Sequence, residues 1–398
     1  MMTPSAQLAE TNNLQRELDK NLPLRHKLSL VHEALKHHCD LIHRVAVALY
    51  DPNTDHVSTF LYSSKEDTPL FNYSVKLSEV RSLWDIAQHG APRIINNLTA
   101  LAQRKSRHTQ MVLAQGYQSS LTQPLYHNGS LLGFLFFNSY QKDIFTGRLP
   151  HLIDLFSQVI AAMVIKETSL ARTIAAAIRT TQNITSHKDE ETGAHLGRMS
   201  HYARLIATML AKRHGFSDEY IEYILLFSPM HDIGKIAIPD SILSKPGKLT
   251  AAEFEVVKRH TAIGLEIINN MAKEFSFEDF PHIQMLRNIV EMHHETMDGS
   301  GYPNGVRGEQ IPIEARICAV ADIFDALTSQ RCYKPAWSNE KAFSALREMA
   351  RTKLDSECVE ALIGNPEKIR EIQADFAEVG GDDQPCAGAE EPAILNAA

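Results

Sequence analysis

No two of the five cysteines (Cys39, Cys318, Cys332, Cys358 and Cys386) stand in a Cys-X-X-Cys spacing, and their number is odd. That excludes a disulfide framework and a structural zinc site of the cysteine type. It reads as free thiols in a reducing cytoplasm. No uninterrupted apolar run reaches the roughly 18 residues needed to span a bilayer. The polar start, residues 1–22, lacks the apolar core of a signal peptide. An excess of positive charge is also missing, since the formal net charge is −8. Bulk binding to DNA or RNA normally needs a basic footprint. The expectation is a cytoplasmic protein with neither a membrane nor a nucleic-acid partner.

What is present is an ordinary globular balance: 44% hydrophobic and 22% charged residues over 398 positions. That length suggests two or three domains, with material for more than one core. Histidine stands out, with 19 residues. The first 24 residues read as a polar helix. Residues 26–39 carry apolar positions at Leu28, Val31, Leu35 and Cys39, which predicts an amphipathic helix. "RVAVALYD" (44–51) and "HVSTFLYSS" (56–64) flank the turn signal "DPNTD" and predict a hairpin. A helix is expected near 78–90. "SSLTQPLYHNGSLLGFLFFNS" (119–139) predicts a second hairpin around "HNGS". The order is α+β.

With its proline-bearing strand, its turn and "LLGFLFF", the stretch 25–148 resembles a GAF domain. The resemblance implies a sensor that binds a small regulatory ligand or mediates dimers. No residue identifies the ligand. The group His32, His37, His38 and His43 reads as a solvated helix face rather than a metal or haem site.

Between Pro150 and Ser186 the chain has neither glycine nor proline. Leu152, Phe156, Val159, Met163, Leu170 and Ala177 approach a 3.5-residue period, interrupted by Lys166. This predicts a long linker helix over 149–186 that could pair in a homodimer. Residues 187–374 read as mostly helical, and the small, acidic tail 375–398 as disordered.

Five stretches of the second half carry metal-ligand chemistry. "ETGAH" places Glu191 and His195 four residues apart, on one face of a helix. "HDIGK" holds His231, Asp232 and Lys235, and "KRH" holds His260. "HHETMDGSGYP" holds His293 and His294, and "VADIFDALTS" holds Asp322 and Asp325. Each element alone is weak evidence. A Glu-X-X-X-His pair is more often a surface link, and a Gly-Pro turn is common. Asp322 is harder to dismiss, because an unpaired carboxylate on an apolar helix is expensive to bury. Imidazoles with carboxylates suit Fe, Mn or Zn rather than Ca or Mg. Adjacent histidines on a helix point about 100° apart and could serve different ions.

Taken together, "ETGAHLGRM", "HDIGKIAIPDSILSKPGKLT", "RHTAIG", "MHHETMDGSGYPNG" and "ICAVADIFDALTSQRCYKPAW" resemble the HD-GYP branch of the HD phosphohydrolases over about 175–365. The resemblance implies an all-α HD-type C-terminal domain that hydrolyses cyclic di-GMP to pGpG, with GMP as the product of a second cut. It implies His231, Asp232, His260, His293, His294 and Asp322 as metal ligands, with Asp232 bridging. Glu191 and His195 match the extra pair of members with three ions. Two or three Fe or Mn ions are expected, with Zn less suited. Asp232 and Lys235 are the expected catalytic residues. Lys235 is expected beside the scissile phosphate, and Arg331 and Lys334 at the substrate phosphates. Asp298, Gly299, Gly301, Tyr302, Pro303 and Asp325 are expected around the substrate. Two alternatives stay open. One is hydrolysis of another cyclic dinucleotide such as cyclic GMP-AMP. The other is a docking protein whose candidate partners are diguanylate cyclases.

Overall fold

The computed structural model describes residues 14–64, 73–101, 107–185, 193–245, 247–275, 277–330 and 336–377. The chain divides into two units, Met1–Leu170 and Ala171–Ala398. The first begins with a short helix α1 (14–19) and helix α2 (Leu24–His38), which buries Leu24, Leu28, Val31 and Leu35 as the apolar spacing requires. Strands β1 (Arg44–Asp51) and β2 (His56–Ser64) form the expected antiparallel hairpin. Then come β3 (Ser74–Lys76), α3 (Arg81–His89), β4 (Arg93–Ile95) and α4 (Arg107–Ala114). The second hairpin is β5 (Ser119–His127) with β6 (Ser130–Ser139). It closes through Asn128 and Gly129, both at positive φ, as a two-residue Asn-Gly turn demands. The strands make one antiparallel sheet in the order β3-β2-β1-β6-β5-β4. The unit is α+β, as expected. The three-residue edge strands β3 and β4 were not foreseen.

His32 departs from the expected solvated face. It is fully buried, its Nε2 donates to the Ile42 carbonyl at 3.0 Å, and its Nδ1 lies 2.8 Å from Ser63 Oγ. Its place follows from the helix: four residues after Leu28, it shares the apolar stripe. Those partners and its burial favour the neutral ring.

Helix α5 (Leu149–Thr185) is continuous, as the absence of helix breakers predicts. Its Ile153, Ile160 and Val164 are fully buried, while Leu155 and Val159 are exposed. Leu149–Thr173 is long and apolar enough to cross a membrane by length and composition. That corrects the expectation of no such stretch. Single charges such as Asp154 and Lys166 interrupt the run without removing its average character.

The second unit is helical. It comprises α6 (Gly193–His214), α7 (Asp218–Phe227), α8 (Asp240–Leu243), α9 (Ala251–Lys258) and α10 (His260–Glu274). Helices α11 (Ile283–Met292), α12 (Ile313–Thr328), α13 (Asn339–Met349), α14 (Ser356–Ile363) and α15 (Pro366–Asp375) complete it. Helix α6 is central and packs against α7, α12, α14 and α15. Met199, Tyr202 and Ile206 of α6 meet a core that includes Val320 and Phe324 of α12. Helix ends are capped locally. Ser217 accepts from the Tyr220 amide, and Thr250 with Glu253 makes a reciprocal capping box. Residues 378–398, including most of the tail read as disordered, lie outside the described residues.

Burial lowers the pKa of His32 to about 4, against 6.5 for a solvated ring. The unfolded chain therefore binds more protons between these values. Stability of the N-terminal unit should be constant above about pH 6.5, fall as pH drops toward 4, and level off below, a loss of at most about 3 kcal/mol. Urea unfolding from pH 4 to 7 checks this: His32→Leu should flatten that part of the profile.

Candidate metal centre

Four helices deliver the donors. His195 lies in the first turn of α6, and Asp322 on α12. His231 and Asp232 sit between two 3₁₀ turns, Ser228–Met230 and Ile233–Ala237. Helix α7 stops at Phe227, and the first of these turns begins at Ser228 with Pro229 as its second residue. His260 begins α10, and His293 and His294 follow the last turn of α11. Two glycines make the approach possible. A Cβ on Gly234 would lie 1.9 Å from the His260 carbonyl oxygen and 2.6 Å from the Gly264 nitrogen. The glycines of "HDIGK" and "RHTAIG" thus allow the Asp232 turn to abut α10, which places His260 beside Asp232.

The donors form two groups. Ligand atoms of Asp232, His260, His293 and His294 lie within 4.8 Å of one another, and so do those of His195, His231 and Asp322. Asp232 joins the groups. Its Oδ1 is 3.1 Å from His260 Nε2 and 3.6 Å from His293 Nε2. Its Oδ2 is 3.1 Å from His231 Nε2 and 2.8 Å from Lys235 Nζ. In the second group, Asp322 Oδ1 is 3.8 Å from His195 Nε2 and 3.9 Å from His231 Nε2. One carboxylate therefore faces a different set of imidazoles with each oxygen.

The tautomers are set from behind. Nδ1 of His231 donates to Ser228 O (2.9 Å), that of His260 to Val257 O (2.7 Å) and that of His293 to Ile289 O (3.0 Å). A carbonyl can only accept, so each ring carries its proton on Nδ1 and presents a lone pair on Nε2 toward Asp232. Burial lowers the pKa of His293 and His294 and keeps both rings in the neutral, ligating form. Burial alone would raise the Asp232 carboxyl. The Lys235 ammonium, 2.8 Å away, leads the influences that outweigh it and hold the group well below the usual carboxylate range. Buried neutral imidazoles around an ionised carboxylate, with no thiol among them, fit divalent transition metals.

Asp325 was expected at the substrate. It is instead fully buried, one turn below Asp322. Its carboxylate accepts from His195 Nδ1 (2.7 Å), Arg198 Nε (2.7 Å), Arg198 Nη2 (3.1 Å) and Ser329 Oγ (2.8 Å). It orients His195 and does not face the open side. Arg198 and Ser329 were missed, although Arg198 stands three residues from His195 on the same helix face.

The "GSGYP" loop folds back over the donors. A Cβ on Gly301 would lie 2.5 Å from the His294 carbonyl oxygen, so only glycine fits there. The Tyr302 amide donates to that carbonyl at 3.2 Å, and the Tyr302 ring lies 4.7 Å from the His294 ring. Asp298 shapes the turn. Its Oδ1 accepts from Thr296 Oγ1 and from the amide and hydroxyl of Ser300, bonds that pull its pKa to about 2. Gly299 takes positive φ, and Pro303 is exposed. Buried Glu295, also missed, accepts from the amides of Asn304 (2.7 Å) and Gly305 (3.1 Å) and anchors the far side of the loop. Glu191, Arg331 and Lys334 lie outside the described residues.

Asp325→Asn should weaken the ion site of His195, His231 and Asp322 by about 10- to 100-fold, as loss of a partner behind a ligand does. The site of His260, His293 and His294 should keep its affinity. Metal titration of the variant, followed by elemental analysis after dialysis, checks both.

A family model described as an HD domain matches residues 152–358. A cyclic di-GMP phosphodiesterase response regulator of Xanthomonas campestris is 46% identical over 191 residues, which are 48% of this chain and 48% of that protein. A 3'3'-cGAMP-specific phosphodiesterase of Vibrio cholerae is 37% identical over 196 residues, 49% of this chain and 35% of that protein. The chain thus spans about half the length, or less, of the curated relatives it matches. The GAF domain of an Acinetobacter phosphoenolpyruvate-protein phosphotransferase covers 42% of this chain and 97% of its own, at 14% identity and a TM-score of 0.33, too low to support an assignment. With the family model matching more than half of the sequence and the His-Asp pair at the centre of its donor groups, the chain belongs to the HD-domain family.

Proposed function

We propose that this chain hydrolyses cyclic di-GMP to linear pGpG in a metal-dependent reaction. The observation that carries the proposal is the Asp232 carboxylate, set between two groups of histidine and aspartate donors. The similarity to a cyclic di-GMP phosphodiesterase over 48% of the chain supports the substrate.

His195, His231 and Asp322 would hold one ion, and His260, His293 and His294 another, with Asp232 shared. Fe or Mn suits these donors, and Glu191 would extend the set to a third ion. Bound there, such ions acidify a water and polarise a phosphoryl oxygen. Water adds to phosphorus, the bond from phosphorus to the ribose 3′ oxygen breaks, and that oxygen leaves with a proton. Lys235 sets an ammonium at the edge of the donor groups, where it stabilises charge on a phosphoryl oxygen. Tyr302 offers an aromatic face beside His294, and Lys258 stands over that ring at 5.6 Å, as fits a nucleobase neighbour. Arg331 and Lys334 are proposed for the remaining phosphate.

The exposed Leu155 and Val159 of α5 suit pairing in a homodimer. Free thiols at Cys39, Cys318 and Cys358 suit a cytoplasmic setting. Cyclic GMP-AMP is the second reading, favoured by the similarity to a Vibrio cholerae enzyme specific for it.

The test is chromatography of products from the purified chain, kept anaerobic and supplied with Mn or ferrous iron. Cyclic di-GMP should give pGpG, and faster than cyclic GMP-AMP is consumed. Asp232→Ala should lower the rate by at least about 1000-fold and release metal. Full turnover by that variant would refute the shared carboxylate.

A further inference from the structure

Helix α15 buries only Ile369, yet its C-terminal end is fastened to its neighbours. Gln373 exchanges two amide hydrogen bonds with Asn339 at the start of α13, at 2.9 and 3.0 Å. Half-buried Phe376 follows the last turn and lies on the backbone of α6. A Cβ on Gly197 would be 2.4 Å from Cε1 of that ring and 2.5 Å from Cδ1. The His201 ring, one turn along α6, lies 4.9 Å from it. His201 is itself fixed, because its Nδ1 donates to the Gly197 carbonyl at 2.8 Å. Glycine at 197 therefore makes the seat, and His201 makes its side.

The docked ring fixes the backbone next to it. The Phe376 carbonyl accepts from Arg198 Nη1 at 3.4 Å. The last turn of α15 holds no basic residue of its own, so Arg198 supplies the cation that the negative end of a helix favours. The same guanidinium grips Asp325 through Nε and Nη2, and Nη2 also donates to Ser329 Oγ at 2.8 Å. Asp325 in turn accepts from His195 Nδ1. Contacts thus run unbroken from Phe376 through Arg198 and Asp325 to a donor of the metal centre. No motif announced this, since Phe376 stands well past Trp337, where the last donor-bearing stretch ends.

We propose that Phe376 is a positioning residue for the ion site of His195, His231 and Asp322. Its ring, docked on Gly197, holds the end of α15 against Arg198 and so holds His195 in its ligating pose. The inference rests on the reading of those three residues as an ion site. A guanidinium is a rigid planar fork, and a contact at Nη1 keeps the fork from swinging away from Asp325. The Arg198 side chain is 12% exposed and that of Asp325 fully buried. Release of α15 would admit water to a charged pair whose strength depends on exclusion of water. His260 and His293 take their orientation from carbonyls three and four residues upstream, so their side of the centre should not respond.

Titration of the metal-free full chain with Mn(II) tests this, with free Mn(II) read from its six-line electron paramagnetic resonance signal. Phe376→Ala should weaken one of the two ions by about fivefold and leave the other unchanged. Phe376→Tyr keeps the ring and should keep the affinity. Gly197→Ala ordinarily favours a helix, yet it should weaken the same ion, because its methyl displaces the ring. Adding Gly197→Ala to Phe376→Ala should cost nothing more, because the displaced ring is already gone. Gly197→Ala decides the matter where Phe376→Ala does not fold. Unchanged affinities in both single variants, equal weakening of both ions, or additive losses in the double variant would overturn the proposal. A parent chain that takes up fewer than two ions would overturn the reading of the metal centre itself, and this inference with it.

Discussion

An ionised carboxylate buried among imidazoles is the constraint on which the second unit depends. Asp232 is 6% exposed, and isolated burial of its charge would cost several kcal/mol. Lys235 offsets part of that cost. The rest of the arrangement makes sense as a cradle for cations: every nearby imidazole with a resolved Nδ1 partner has that nitrogen turned to an acceptor and its Nε2 turned inward. Three of those acceptors are backbone carbonyls three or four residues upstream of their histidine. Ring orientation is therefore a property of the local turn. The fourth acceptor, Asp325, belongs to a different helix, so the His195 side of the site depends on the packing of α6 against α12.

This difference divides the site into a part readable from the chain and a part that is not. The ligand types were legible as histidines and aspartates in five separate motifs. Their convergence was legible through family resemblance more than through spacing, because the contacts span over a hundred residues. Asp322 and Asp325 look equivalent in "VADIFDAL", three residues apart on one helix. Only packing decides that one faces the donors while the other lies beneath His195, locked by Arg198 and Ser329. The loop glycines Gly299 and Gly301 were expected around the substrate. At Gly301 glycine is a matter of contact distance to the His294 backbone, and at Gly234 of contact distance to α10. Such close approaches leave no trace in hydrophobic periodicity.

The N-terminal unit follows the same logic. Long hairpins with alternating residues and an Asn-Gly turn were legible. Edge strands of three residues carry too few positions for an alternation to register. His32 was misread because residue type outweighed position: imidazole suggests solvent, while the Leu28, Val31, Leu35 stripe already included it. The long helix α5 was legible from its lack of breakers. Its apolar average was not, because scattered charges hide a mean that no single run displays.

The central claim is that Asp232 is shared between two ions, and electron paramagnetic resonance of manganese tests it most directly. Metal-free protein is titrated with Mn(II) under anaerobic conditions and followed at low temperature. An exchange-coupled multiline signal growing in toward two equivalents is expected, because a single carboxylate links the two donor groups. Saturation at one equivalent, or two independent six-line signals without coupling, would contradict it.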